Sequence, residues 1–217
     1  MNSRSPLMRR PHPPRGRPRD PDKRLAAIAA AKQLFVVDGL RGTSMDAIAK
    51  LAGVSKVTLY SYFADKDALF REALSQACQG LAAEDAYVLN GPGTLRARLT
   101  QIAEGFFDLI TSADAISLYR LMAANPRRHR KLSLLFWEAG PEATMQRFAR
   151  LLAEATAAGE LRLTDPRAAA AQFFFLIKGE QHLKLLIGVV DKLASKERRA
   201  HIDRTVTMFL RAYGAAS

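Results

Sequence analysis

Cysteine is almost absent: Cys78 stands alone among 217 residues. A lone thiol excludes an internal disulfide, and it excludes zinc sites of the four-cysteine or two-cysteine-two-histidine kind. It fits a reducing cytoplasm, and Cys78, inside a helical pattern, reads as a packing residue. The four histidines, His12, His129, His182 and His201, lack metal-ligand spacing, and neither a His-Glu-x-x-His motif nor a phosphate-binding glycine loop is present. A Gly-x-Ser-x-Gly nucleophile turn is missing too. The expectation is a chain that is not an enzyme, with no catalytic residues, no metal and no cofactor. Long apolar runs are equally scarce. The nearest, Ala168 to Ile177, is broken by Lys178 and Glu180, well short of the roughly 18 to 20 residues a membrane span requires. The N-terminus lacks the apolar middle of a signal peptide, so a soluble, cytoplasmic protein with no membrane partner is expected.

Acidic residues are in short supply, 21 against 33 Lys and Arg, giving a net charge of +12. The excess is unevenly placed. Residues 1–20 hold six Arg against one Asp, residues 21–66 seven basic against four acidic groups, and the remainder twenty against sixteen. A basic end on a nearly balanced body is the electrostatic footprint of a nucleic-acid binder. Residues 1–20 also carry five Pro and almost nothing apolar, which predicts a disordered basic arm. Within it, Arg15-Gly16-Arg17-Pro18-Arg19 has two readings: an AT-hook-like reader of a narrow minor groove, or a tail adding only non-specific phosphate attraction.

The stretch from Thr43 to Lys66 organises the rest. Thr43 is expected to cap a helix with Asp46 returning the bond, and Met45, Ile48 and Ala49 point inward. Gly53 stops that helix, and Ser55 caps the next within the length a helix-turn-helix uses. On Lys56 to Phe63 the helical repeat gathers Leu59 and Phe63 on a core face, with Tyr62 at its edge. The opposite face offers Val57, Thr58 and Ser61, flanked by Tyr60 and Lys56. Hydroxyls there can bond to bases or phosphates, Val57 or Tyr60 can lie against a thymine methyl, and Lys56 and Lys66 can hold phosphates.

These positions, with Ile48-Ala49, Ala52-Gly53-Val54-Ser55, Leu59-Tyr60, Tyr62-Phe63, Lys66 and Leu69-Phe70, resemble the DNA-binding region of the TetR family of bacterial transcriptional regulators. The resemblance implies that Thr43, Ser44, Ser55, Lys56, Val57, Thr58, Tyr60, Ser61, Tyr62 and Lys66 face DNA. It further implies a homodimer on a palindromic, double-stranded operator, acting as a ligand-responsive repressor. The alternative class is an architectural, nucleoid-type DNA-binding protein with little sequence preference.

The fold expected is all-α: an N-terminal three-helix DNA-binding domain over residues 21–66, then residues 67–217 as a connecting helix and a larger helical ligand-binding and dimerisation domain. The first helix should run from Asp22 to about Asp38, with Leu25, Ile28, Ala31 and Phe35 inward and Gly39 ending it. The connecting helix starts at an Asp65 cap and continues through Leu81. Later helices follow from Leu95, Leu99, Ile102, Phe106 and Ile110. Another is capped by Asp114, and another has Pro126 in its first turn and ends at Gly140-Pro141; the next carries Met145, Phe148, Leu152 and Ala155.

The Phe173-Phe174-Phe175-Leu176-Ile177 run predicts a helix, Pro166 to about Val190, buried all round. The last helix, about Lys196 to Tyr213, offers Ile202, Val206, Phe209, Leu210 and Tyr213 on one side. The two helices either pack with their counterparts in a second subunit, as the family resemblance implies, or form an intrachain core.

The segment Phe136-Trp137-Glu138-Ala139-Gly140-Pro141 resembles the C-terminal domain of the AefR-like TetR subgroup. Phe106, Ile110, Leu121, Met122, Phe136, Trp137, Glu138 and Phe148 are the candidates for lining a pocket that takes a small hydrophobic effector, with Trp137 as aromatic wall and Glu138 as orienting polar group. The apolar ones among them follow helical core periodicity, for which packing is the commoner role. The basic run Arg127-Arg128-His129-Arg130-Lys131 reads as a solvated face.

Overall fold

A computed structural model describes residues 20–79, 93–124 and 126–215. The expected disordered arm, its Arg15–Arg19 motif and Leu81 lie outside the described residues. Everything described is helix and connection. The helices are α1 (Pro21–Gly42), α2 (Met45–Leu51), α3 (Lys56–Tyr62), α4 (Lys66–Gln79), α5 (Leu95–Ile110), α6 (Ala113–Ala124), α7 (Arg130–Trp137), α8 (Ala143–Ala157), α9 (Pro166–Leu186) and α10 (Ser195–Tyr213). Among the described residues the sole β feature is an isolated antiparallel bridge between Leu161 and Gly214.

Caps explain most of the helix starts. Asp20 accepts from the Asp22 amide, with Pro21 at the first helical position, where its missing N–H costs nothing. Asp65 accepts from Ala68 N at 2.7 Å to begin α4, and Asp165 does the same for α9. Two expected caps are displaced. Ser44 caps α2 by accepting from Ala47 N, while the Thr43 hydroxyl turns inward to donate to the Gly39 carbonyl at 2.8 Å. Ser112, not Asp114, accepts from Ala115 N at the start of α6. Where several short polar side chains precede a helix, the backbone torsions decide which one caps it.

Gly39 takes φ +67° and breaks α1 where expected, and the chain then makes one more turn to Gly42. Ile28, Ala31 and Phe35 are buried, but Leu25 is half exposed, a correction at the solvent end of the helix. Pro126 lies in a turn, and α7 begins only at Arg130. Gly140-Pro141 does not end the helix: residues Glu138–Glu142 form a π-helical turn that runs straight into α8. The wider turn accommodates a proline with no N–H to give. A Cβ at Gly140 would stand 3.3 Å from Leu74 Cδ2, close enough that the leucine side chain would have to shift by a few tenths of an ångström.

Two apolar clusters form the interior. One gathers the outward half of the chain around α5, α8, α9 and α10, with Phe148, Phe173, Phe174 and Phe209 at ring distances of 4.8 to 5.7 Å. Each such pair adds about 0.5–1.5 kcal/mol beyond its buried area. The other encloses α1–α4 but also draws in Leu118 and Met122 of α6 and Leu132 and Leu135 of α7. The apolar side of α10, Ile202, Val206 and Phe209, is used inside the chain.

Burial of α9 on every side is not met within one chain. Phe173, Phe174 and Ile177 are buried, while Phe175 is 62% and Leu176 41% exposed. Consecutive residues point about 100° apart on a helix, so a core on one side cannot cover five in a row.

Candidate nucleic-acid interface and internal cavity

Helix α3 has only seven residues, too short to hold its shape alone. Three attachments fix it. Leu59 is fully buried and Phe63 nearly so, each against the cluster shared with α1 and α4. Ser55 caps its first turn through Thr58 N at 3.0 Å. Tyr62 donates its phenol proton to the Asp20 carbonyl at 2.9 Å, tying the end of α3 to the beginning of α1.

The ten side chains expected to face DNA fare differently. Val57 is 82% exposed, Tyr60 46%, and Ser61 is exposed with its hydroxyl bonded to the Thr58 carbonyl. Ser55 and Thr58 share a hydroxyl–hydroxyl bond of 2.8 Å, and Ser44 is exposed but engaged as a cap. Lys56 is exposed yet paired with Asp46 at 2.8 Å, and that carboxylate raises its pKa through hydrogen bonding and charge. Lys66 is part-buried and donates to the Thr43 carbonyl at 3.2 Å; Tyr62 is part-buried as well. Thr43 is corrected: at 2% exposure its side chain is an internal strut that presents nothing to a partner.

Between the connecting helix and the body lies a cavity of about 210 Å³. Its walls come from α1, α4, α5, α6, the α7–π-turn segment, α8 and α9. Of the residues expected to line a pocket, Phe106, Ile110, Phe136 and Trp137 do so. Leu121, Met122, Glu138 and Phe148 do not: Phe148 is in the phenylalanine core, Met122 and Leu121 pack with the α1–α4 cluster, and Glu138 points to solvent. Helical spacing alone cannot separate a wall residue from a core residue one turn away.

The polar wall groups were not legible as such in the sequence. Tyr119 sits edge-on to both Phe136 and His182 at 5.3 Å, and burial pushes its phenol up to about 12. Burial also raises the Cys78 thiol, against the opposing pull of a Thr144 hydrogen bond and of Lys32. Lys178 lies with Nζ over the rings of Tyr119 and Phe175, at 5.5 and 5.3 Å, and burial lowers its pKa. The only signal for Lys178 was a charge ending a five-residue apolar run.

Two contacts bring the α6–α7 region against α4 and α1. The Lys131 ammonium pairs with Asp67 in the first turn of α4, and a Cβ on Gly39 would meet the ring of His129 and the side chain of Leu121 at 3.4 Å. Lys131 remains exposed, as do Arg127, Arg128 and Arg130, in keeping with the solvated run, and it adds an ion pair between α7 and α4.

A short helix after a tight turn, anchored by Leu59 and Phe63, on an all-helical body with an apolar cavity defines the class, a helix-turn-helix transcriptional regulator. Residues 27–73 match the family model for bacterial regulatory proteins of the tetR family, and residues 97–215 match that for the C-terminal domain of AefR-like transcriptional repressors. The chain therefore belongs to the TetR family, whose members are DNA-binding regulators, not enzymes. Among solved structures, the Flavonoid-responsive Regulator FrrA is 35% identical, with a TM-score of 0.68 over 91% of this chain and 100% of that one. A chain from Mesorhizobium loti MAFF303099, assigned to the TetR-family transcriptional regulators, is 28% identical with a TM-score of 0.71, over 89% and 97%. The HTH-type transcriptional activator FasR of Mycolicibacterium smegmatis is 37% identical over 93 residues, 43% of this chain and 42% of its own length, so the match spans less than half of that relative. No helix among the described residues is long and apolar enough to cross a membrane.

Proposed function

We propose that this protein is a ligand-responsive repressor that binds a palindromic double-stranded operator as a homodimer. Val57 and Tyr60 read the major groove, Ser61 stands beside them, and Ser44, Ser55 and Lys66 lie where phosphates pass on either side. The Ser44 hydroxyl accepts in its capping bond and keeps its proton to donate to a phosphate, the Ser55–Thr58 hydroxyl pair has one proton beyond the bond it shares, and Lys66 keeps two N–H groups beyond its bond to Thr43. The subunits meet through α9 and α10, where Leu176, Leu183 and Met208 are 41%, 53% and 48% exposed. Apolar area of that kind on adjacent helices favours a self-complementary partner.

The observation that carries the ligand response is the position of the cavity. Phe70, Ala73, Leu74, Ala77 and Cys78 of α4 form one of its walls, and the first turn of that same helix follows directly on α3. A small hydrophobic effector that fits one setting of α4 better than another shifts the spacing of the two reading helices by its difference in affinity and no more. The match to the AefR-like repressors supports the sign of regulation, and the name of FrrA supports response to a small molecule.

The test is a titration of the protein against the duplex immediately upstream of its own gene and against random duplex of equal length at the same salt. Binding roughly a thousandfold tighter to one site establishes the regulator. Equal binding to every duplex, together with no motif from genome-wide selection, favours the architectural alternative, for which the basic N-terminal segment is the supporting feature.

A further inference from the structure

Lys178 is a cation on an apolar wall with no anion to meet it. Its ammonium rests against two aromatic faces, Tyr119 and Phe175, and among the described residues no carboxylate pairs with it. Ring faces attract a cation by about 0.5–2 kcal/mol, which does not replace an ion pair for a charge largely removed from water. The wall holds two weak acids that could supply a countercharge, and neither does. Tyr119 keeps its proton far above neutrality, and the Cys78 thiol is likewise held in its protonated form. The one wall carboxylate, Asp114, is exposed at the start of α6 and stands beyond pairing distance. Lys32 adds a second positive charge to the same walls, and burial together with the Lys178 charge depresses the nearby imidazole of His182. The space is therefore hydrophobic in shape and positive in potential.

We infer that the effector is an apolar organic anion, whose ring or chain fills the space between Phe70, Phe106, Phe136 and Trp137 and whose acidic group pairs with Lys178. This rests on the cavity being the effector site, and it adds the chemistry that selects the ligand. A neutral molecule of the same shape leaves the ammonium unpaired, while the anion satisfies it, with the neutral Tyr119 phenol as an adjacent hydrogen-bond donor.

Trp137 is the only tryptophan and lines the cavity, so its emission reports occupancy directly. The experiment titrates the full-length protein with 2-naphthoate and its neutral counterpart 2-naphthamide, and with decanoate and decanamide. It repeats both pairs on Lys178→Met and Lys178→Arg, with circular dichroism to verify the fold. The expected result is a preference of about tenfold or more for each acid over its amide, the range of a hydrogen bond to a charged group. That preference falls to near unity in Lys178→Met and survives in Lys178→Arg. Saturable binding of acid and amide alike, or a preference unchanged in Lys178→Met, overturns the anion assignment and leaves the cavity as an effector site. No saturable response to any of the four overturns both.

Discussion

Lys56 Nζ stands 2.8 Å from Asp46 Oδ1, so the first residue of α3 is tied to the second residue of α2 across the turn. Both side chains are more than half exposed, which makes the pair worth little to stability. In the proposed DNA complex its consequence is functional: Lys56, at the start of α3, is already engaged by a carboxylate on the same surface. Asp46→Asn releases it. The variant is expected to bind duplex more tightly, and the slope of log K against log salt should steepen by about 0.9, the increment for one added phosphate contact. An unchanged slope would show that Lys56 never reaches the backbone.

The two sides of α3 should separate in mutagenesis. Leu59→Ala empties a fully buried position and is expected to cost about 2–5 kcal/mol in denaturant unfolding. Val57→Ala and Tyr60→Ala leave the melting temperature where it was, since both side chains are exposed, and reduce selectivity for the operator over random duplex. Loss of selectivity without loss of stability is the signature of a reading residue.

His182 gives the protein an acid sensitivity of definite sign. Burial and the neighbouring Lys178 hold its pKa below the ordinary 6.5, so the unfolded chain takes up a proton before the folded one does. Stability is full above 6.5, falls as pH drops from there to the lower folded value, and is then flat for this group. Thermal melts across that window should show a fall that is smaller in His182→Gln, and an identical fall would assign it to other groups.

Cys78 provides a reaction rate. Its raised pKa leaves little thiolate near neutral pH, so alkylation by iodoacetamide should be slower than for a free thiol and should accelerate with rising pH. With one cysteine in the chain the reading is unambiguous, and a saturating cavity ligand should slow it further.

The proposed dimer depends on surface that one chain leaves uncovered. Leu176→Glu with Leu183→Glu should convert the assembly to monomers in sedimentation, with the helical content unchanged, because both side chains are exposed in the single chain. A dimer that survives the pair of charges would place its interface elsewhere.

Much of this was legible in the sequence, for reasons that differ by site. The helix-turn-helix could be read because Gly53, Ser55, Leu59 and Phe63 are each demanded by local geometry: a positive-φ turn, a cap and two buried anchors. The Thr43-to-Ser44 cap displacement was not legible, because both residues can cap and only the Gly39 carbonyl, four residues back, draws Thr43 away. Pro141 misled in the other direction. A proline ordinarily ends a helix, but here the turn widens over Glu138–Glu142 and runs on into α8, a local adjustment that no residue pattern signals. The cavity mixed legible aromatic walls with polar groups whose meaning lies in tertiary contact. Lys178 looks like a surface charge until Tyr119, nearly sixty residues earlier in the chain, is found beneath it.

Leu118, Met122, Leu132 and Leu135 belong to the same buried cluster as Ile28, Phe35, Leu59 and Phe70. The reading end is consequently not a detachable head. A chain cut after Gln79 would bare one side of α1 and α4, and a graft of these four helices onto a relative's body would meet a roof shaped for another floor. An exchange of operator preference between relatives must carry those α6 and α7 leucines and Met122 along with the head, or refit them by selection.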